Sequence, residues 1–418
     1  MSNFTHCTVS DVADNFDNIR VPLSAKQREN LKKVYPYYGA QNIIDYVDSY
    51  LFDGEYILVA EDGENLKSAN SQICNLINGK FWVNNHAHII KAKNENVTKY
   101  LYYYLNLINF RPFITGSAQP KLTKDNLCSI PLSVHSPEDQ KSISSVLSVI
   151  DDKIELNNKI NNELEQMAKT LYDYWFVQFD FPDANDKPYK SSDGAMVFND
   201  DLKCKIPKDW RAVSIESIIS KSKNGDWGEE KISLNLMKVY CVRGADINAL
   251  NGQSANLEPP VRYIRRDHQE RLLKPDDLMV EISGGSPTQS TGRIAHIGET
   301  IFSRFESPLV CSNFCKAISL KDKAHSYILK HYWNKLYESE VFFNFEGKTS
   351  GIKNLMFDRV IQDVYLAMPS DNDLVTQFHE ICQRNDELIQ TRLLENQKLA
   401  ELRDWLLPML MNGQVTIK

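Results

Sequence analysis

What the 418-residue sequence does not contain narrows its identity first. No run approaches the roughly 20 consecutive apolar residues that a membrane-spanning helix needs. Met1 to Phe16 has neither a basic segment nor an apolar core, so no signal peptide is expected. The eight cysteines form no CxxC pair. Cys311 and Cys315 are the nearest two, with no His or Cys cluster beside them. Free thiols in a cytoplasmic protein are therefore expected, and no metal site. No GxGxxG follows a strand-like run and no GxxxxGK[ST] occurs, which removes the usual dinucleotide and nucleoside triphosphate cradles. Positive charge is not in excess either, the formal net charge being −7. That excludes a protein that coats nucleic acid by overall basicity, although phosphate binding asks only for locally positive surface. The remaining composition, 42% hydrophobic and 25% charged, is that of a globular chain long enough for two or three domains.

The chain repeats itself. Tyr35-Pro-Tyr-Tyr-Gly39-Ala40 parallels Tyr240-Cys-Val-Arg-Gly244-Ala245, and Phe52-Asp-Gly54-Glu55-Tyr-Ile-Leu58 parallels Lys274-Pro-Asp276-Asp277-Leu-Met-Val280. A glycine follows each at the same interval, Gly63 and Gly285. Val83-Asn-Asn85-His-Ala-His-Ile-Ile90 then parallels Cys311-Ser-Asn313-Phe-Cys-Lys-Ala-Ile318. Aromatic-rich helical segments follow at Tyr100 to Asn106 and Tyr327 to Trp333. Shared order and spacing make this an internal repeat. Within each copy, β-rich runs (Tyr56 to Ala60, Phe81 to Lys91; Leu278 to Ile282, Ala317 to Leu320) alternate with brief helices, which predicts an α+β domain.

Each half closes with a long amphipathic helix. In the first, Ile143, Leu147, Ile150, Ile154, Asn157, Asn161, Leu164, Ala168, Leu171 and Trp175 recur at steps of three and four. Ser136 is placed as N-cap with Pro137 at the first helical position. The second is expected from Ser370 to about Leu407, through Phe378, Ile381, Asn385, Ile389, Asn396, Leu399, Leu402 and Leu406, with Pro408 and Gly413 marking its end. Such stripes either cover their own domain cores or pack on each other as a rod. At about 45–50 Å each, the helices exceed what a small domain needs, which favours the rod. Asn161 and Asn396 occupy equivalent seam places and are expected to fix its register.

Several segments resemble the specificity subunit of type I restriction-modification systems, and the resemblance covers essentially the whole chain. They are Lys205-Ile206-Pro207-Lys208-Asp209-Trp210, Thr115-Gly116-Ser117-Ala118-Gln119-Pro120-Lys121-Leu122, and the seam start Ile150-Asp-Asp-Lys-Ile154-Glu-Leu-Asn-Asn-Lys-Ile160-Asn. The resemblance implies two repeated α/β target recognition domains, separated by two long antiparallel coiled-coil helices with pseudo-twofold symmetry. Residues 1–135 and 181–369 are the expected domains, the latter with a lead-in linker at 181–204. The spacer helices are expected at 136–180 and 370–418. It further implies that the chain reads a split, asymmetric site on double-stranded DNA and docks two methyltransferase subunits, with restriction subunits joining the full complex. S-adenosylmethionine, ATP and Mg²⁺ then belong to those partners. DNA half-sites lie about 34–36 Å apart per helical turn, so a rigid rod acts as a ruler. Two departures stand out. The second copy, Thr349-Ser350-Gly351-Ile352-Lys353-Asn354-Leu355, lacks the glutamine, and no IPxxW precedes Val9-Ser10-Asp11-Val12.

Catalytic motifs are wanting. The nearest approach to the Asn/Asp-Pro-Pro-aromatic motif of adenine methyltransferases is Glu258-Pro259-Pro260-Val261, without the stacking ring. Pro275-Asp276 and Glu281-Ile282-Ser283 resemble a metal-nuclease arrangement, but lack its lysine. A non-catalytic subunit is expected, with a regulatory scaffold that binds partners without productive DNA reading as the alternative.

The expected DNA contacts fall in loops and basic segments. In the second domain they are Arg262, Arg265 and Arg266, then Ser286, Thr288, Gln289, Ser290 and Arg293 in a glycine-flanked polar loop, and Arg243 beside Gly244. In the first they are Lys26, Arg28, Tyr37, Tyr38, Lys67, Ser68, Asn70, Gln119 and Lys121. The arginine cluster reads equally well as a solvated segment, and the lysines as an exposed helix face. The expected helix–helix seam comprises Leu147, Ile150, Ile154, Asn161, Leu164 and Leu171 with Ile381, Ile389, Asn396, Leu399 and Leu406.

Overall fold

The computed structural model describes residues 4–417 apart from 41, 64–65, 67–72, 117–118, 285–288 and 350–351. The chain divides into two compact units, residues 1–153 with 399–418, and residues 154–398. Among the described residues no helix is long and apolar enough to cross a membrane.

In the first unit the apolar run Tyr56–Ala60 is a central strand, buried along nearly its whole length. It lies between Ala87–Ala92 and Cys74–Ile77, with Ala13–Asn15 outermost, and every pairing is antiparallel. A second sheet runs Ile43–Val47, Tyr35–Tyr38, Lys80–Val83, Phe52–Asp53, with Tyr35–Tyr38 parallel to Lys80–Val83. Helix Thr98–Leu107 sets Tyr100, Leu101 and Leu105 against Ile57, Val59 and Ile90. Ile143 and Leu147 of one long helix, and Leu410 and Met411 of the other, complete this core.

The second unit repeats the plan. Asp277–Glu281 is buried throughout, between Cys315–Leu320 and Ile294–Ile297, with Ile219–Asn224 outermost and every pairing antiparallel. Beside it run Val261–Arg265, Leu236–Val242 and Leu309–Cys311, the last two parallel. Helix Ser326–Glu338 supplies Tyr327, Leu329 and Trp333 to the core. The repeat includes the segment where the sequence suggests a difference. Thr5–Thr8 pairs antiparallel with Pro131–Val134, as Trp210–Ser214 does with Tyr365–Pro369, although only the second copy carries the IPxxW lead.

The ladders correct the repeat's register. With Val83–Ile90 set against Cys311–Ile318, Tyr38 faces Val83 and Val242 faces Cys311, so Tyr38 answers to Val242 and not to Arg243. Likewise Ile57 faces Ile90 and Leu278 faces Ile318. Both sequence matches are one residue out, and a one-residue slip moves a side chain to the other face of a strand. The corrected alignment pairs Gly63 with Gly284 in place of Gly285. These two share backbone that favours glycine, at φ +120° and +137°.

The first long helix spans Pro137–Tyr172. Ser136 Oγ accepts from the Asp139 N–H at 3.2 Å and donates to the Asp139 carboxylate at 2.8 Å, the expected cap. The second spans Asp373–Met411, later at both ends than expected. The Ser370 N–H is still committed to Asp209 O at 3.1 Å, and the Asp371 carboxylate accepts from the Asp373 N–H at 3.1 Å. Pro408 lies inside the last turn, where its missing N–H removes one rung. Gly413, at φ +67°, closes the end by donating to Leu410 O.

Within the second unit the helices run antiparallel, since Asn157 meets Glu395 and Asn396 while Asn385 donates to Leu164 O. Phe378, Cys382, Ile389, Leu393 and Asn396 are buried along the second helix, whereas Ile381, expected in the seam, is 38% exposed. Asn157 donates to Asn396 at 2.8 Å. Asn161 is buried, and its amide has no partner among the described residues. Ile154, Leu164, Leu171, Leu399 and Leu406 are half-buried, and Leu147 and Ile150 are buried.

Two buried polar sites brace the second unit. Lys223 and Asp277, 4% and 2% exposed, form an ion pair. Leu272 O, the Lys274 N–H and Ser319 Oγ satisfy the rest of the pair. His296 lies between Asp276, 3.2 Å from Nε2, and Asp386, 3.8 Å from Nδ1. Burial alone lowers the imidazole pKa, but the two carboxylates outweigh burial and hold it above its ordinary 6.5.

Asp277→Ala strands the Lys223 ammonium and is expected to destabilise the protein by about 3–5 kcal/mol, read from the urea midpoint, with Lys223→Met/Asp277→Leu recovering most of the loss. His296 gives a pH dependence of definite sign. A raised folded pKa makes its contribution full below the unfolded value and lost as pH rises through the folded one. The stability gap between wild type and His296→Gln should therefore be widest below the ordinary imidazole value of about 6.5 and narrow as pH rises above it.

Candidate nucleic-acid interface

The same surface is built in both units. The central strand ends, a positive-φ glycine follows (Gly63, Gly284), and the chain passes beside a short hairpin. That hairpin is Ile114–Thr115 with Lys121–Leu122 in one unit, and Glu346–Thr349 with Ile352–Leu355 in the other. Buried Leu122 and Leu355 root the hairpins, donating to Glu61 O and Ile282 O at 2.8 Å each. The segment without glutamine therefore keeps the hairpin, and Ile352 stands where Gln119 does. Neighbouring positions carry unlike side chains. Asp62 and His86, paired at 2.8 Å, answer to Ser283 and the 53% exposed Phe314; Lys121 answers to Asn354.

Most expected cationic contacts are bound inside their own unit. Arg28 pairs with Asp45 and lies 5.0 Å over the Tyr37 ring, Lys121 pairs with Glu61 at 3.0 Å, and Arg243 with Asp246 at 2.9 Å. Arg262 stacks 4.2 Å over Trp227 and pairs with Glu230. Arg265 pairs with Asp267 at 2.6 Å, and both side chains stay mostly exposed. An exposed pair is worth about 0–1 kcal/mol, so a phosphate can displace Asp267 cheaply. Arg293 differs, since Glu281 grips it at 2.9 and 2.7 Å from a nearly buried carboxylate. Lys26 and Arg266 are exposed and have no carboxylate partner among the described residues. Lys26 sits on the short helix Ala25–Glu29 that Ser24 caps.

Tyr37 corrects the expectation most sharply: it is 1% exposed in the core, its hydroxyl taking the Leu23 N–H at 2.9 Å, so it presents nothing to a ligand. Tyr38 is half-buried against Phe81. Ser290 is buried, whereas Gln119 and Gln289 are exposed, Gln289 donating to the Tyr337 hydroxyl. Lys67, Ser68, Asn70, Ser286 and Thr288 lie outside the described residues.

Side chains that the sequence did not single out hold this surface. Glu61 takes Arg20 at 2.7 Å as well as Lys121. Burial works to raise its pKa, but those hydrogen bonds prevail and hold the carboxyl below its ordinary range. Glu346 accepts from the Thr291 N–H at 2.8 Å and pairs with Lys353 at 3.1 Å. The acids that suggested a nuclease are engaged otherwise, Asp276 with His296 and Glu281 with Arg293. Among the described residues no group of three or more His, Cys, Asp or Glu is placed to hold a metal. Burial pushes the thiols of Cys241, Cys315 and Cys382 up to about 12, so none is a thiolate near neutrality.

Two copies of one α+β plan together with two long helices define a duplicated class of protein. Residues 1–166 match the family model of the type I restriction modification DNA specificity domain. A Haemophilus influenzae protein named as a type I restriction enzyme specificity subunit is 37% identical over 142 residues, 34% of this chain and 36% of that one. The match thus spans little more than a third of that relative's length. The MjaIX type I restriction enzyme specificity subunit of Methanocaldococcus jannaschii is 24% identical over 338 residues, 79% of this chain and 72% of that one. A crystal structure of a type I restriction-modification S subunit from M. genitalium shares the fold at TM-score 0.59 and 15% identity, covering 98% of this chain and 96% of that one. The chain is thus similar to type I restriction-modification specificity subunits, by the domain model over its first 166 residues and by one relative over 79% of its length.

A Cβ on Gly244 would stand 2.6 Å from Glu281 Oε1, whereas one on Gly347 meets nothing nearer than 3.9 Å. Gly244→Ala should therefore cost about 1–3 kcal/mol in chemical denaturation and Gly347→Ala much less.

Proposed function

We propose that this chain is the DNA sequence-recognition subunit of a type I restriction-modification complex. Each repeated domain reads one half of a bipartite, asymmetric site on double-stranded DNA. The long helices dock two methyltransferase subunits and, through them, restriction subunits. The chain itself is non-catalytic, and S-adenosylmethionine, ATP and Mg²⁺ act in the partners. One observation carries this reading: a single sheet topology, repeated, bears unlike side chains at matching surface positions, Asp62 and His86 against Ser283 and Phe314. Two reading heads with different base preferences require such a frame. The competing reading, a scaffold that binds partners without reading DNA, draws on the ion-paired state of Arg28, Arg243, Arg262 and Arg293.

Purified with its methyltransferase partner, the protein should direct adenine methylation to one split motif in single-molecule sequencing. Exchanging residues 1–134 for those of a relative should change one half of that motif only. Arg266→Ala and Lys26→Ala should weaken DNA binding evenly across sequences, and each should lower the slope of log affinity against log salt by about 1. Absence of any bipartite motif, with a folded complex in hand, would favour the scaffold.

A further inference from the structure

We propose that Glu281, gripping Arg293, is a positioning residue that sets which bases the second domain accepts, and that Glu61, gripping Arg20, does the same in the first. The inference rests on the DNA-reading role proposed above and names the groups that give each domain its selectivity.

Glu281 ends a strand buried along its whole length and is itself 5% exposed. A carboxylate there is tolerated only when paired, and Arg293 pairs through a two-pronged fork at 2.9 and 2.7 Å. Two glycines make room for it. A Cβ on Gly244 or Gly284 would lie 2.6 or 3.2 Å from its Oε1. Glu281 therefore lies against the turn after Leu236–Val242, Gly284 and Arg293. A second tie crosses the same stem. Glu346 holds the Thr291 N–H and Lys353, and Lys353 Nζ reaches Gln289 O at 3.4 Å. Apolar packing would close this junction at least as stably. A planar fork adds something packing does not, a fixed orientation of Arg293 relative to the end of the central strand.

The first domain reaches the same result from different residues. Glu61 directly follows the central strand Tyr56–Ala60, two residues before Gly63, and its carboxylate takes Arg20 at 2.7 Å and Lys121 at 3.0 Å. Arg20 also donates to Ala87 O at 2.8 Å. The ladders place Ala60, not Glu61, level with Glu281, so the two acids stand one residue apart in the repeat. An inherited core contact would keep its position. Two separately placed acid–arginine grips at equivalent segment roots point to a shared task.

The test uses the intact chain copurified with its methyltransferase partner, acting on DNA with randomised sites and read by single-molecule sequencing. E281Q keeps the shape and removes the charge. It should raise methylation at near-cognate sites about ten-fold or more in one half of the motif and leave the other half as strict as wild type. E61Q should relax the opposite half. R293K, which keeps the charge but loses the fork, should reproduce E281Q. Melting curves accompany each variant. The proposal is overturned if folded E281Q reads both halves as strictly as wild type, or if either substitution loosens both halves alike. It is also overturned if E281Q and R293K both fail to fold, since the pair then serves the fold and not the reading segment. A wild-type complex that methylates no bipartite motif would instead remove the DNA-reading role itself.

Discussion

A pair of buried amides sets the register on which the rest of the second unit is hung. Asn157, 1% exposed, donates to Asn396 and Glu395, and Asn396 donates back to Asn158. A purely apolar seam tolerates a shift of one helix past the other, because one leucine contact replaces another. Sliding these helices would leave amide donors and acceptors dry and unpaired, at about 1–3 kcal/mol for each group. With that register fixed, Phe378 and Cys382 arrive opposite the residues of the Ser326–Glu338 helix, and Asp386 arrives beside His296. The core contacts along this stretch are downstream of the amide lock.

The sequence made the repeat, the two long helices, the Ser136 cap and the central strands legible, because each writes a local signal: period, punctuation or capping chemistry. It was silent wherever the deciding partner is distant in the chain. Arg293 read as a free contact until Glu281 took it from 12 positions away, and Arg20 carried no signal because Glu61 is 41 positions away. Tyr37 looked like one of a surface pair of tyrosines; the parallel pairing with Lys80–Val83 turned it into the core. Ile381 and Cys382 are adjacent, and a drift of the stripe by one residue was enough to exchange them. In the repeat, a one-residue slip left the pattern convincing and the side-chain comparisons in two of its segments wrong, which only the ladder pairings exposed.

The acidic balance also finds a physical place. Carboxylates are spent on arginines at three depths: exposed at Asp267, half-buried at Asp45, nearly buried at Glu281. Only the first kind yields readily to an incoming anion, since salt and solvent already screen it. A net charge of −7 is thus compatible with a positively responding surface, because the count of charges says little about which of them are free.

The first unit is assembled from two stretches of chain that ribosomes make far apart in time. Leu410 and Met411 are buried among Ile57, Ile90 and Leu147, and Ile417 packs against the same cluster. Residues 399–418 follow the whole of the second unit in translation order. The earlier-made residues must therefore wait, with an apolar cleft open, until the second unit has emerged. Sequence separation of that size slows closure and prolongs exposure of sticky surface. The first head becomes complete only after the second head has been synthesised, so a nascent chain interrupted midway carries no finished copy of either arrangement.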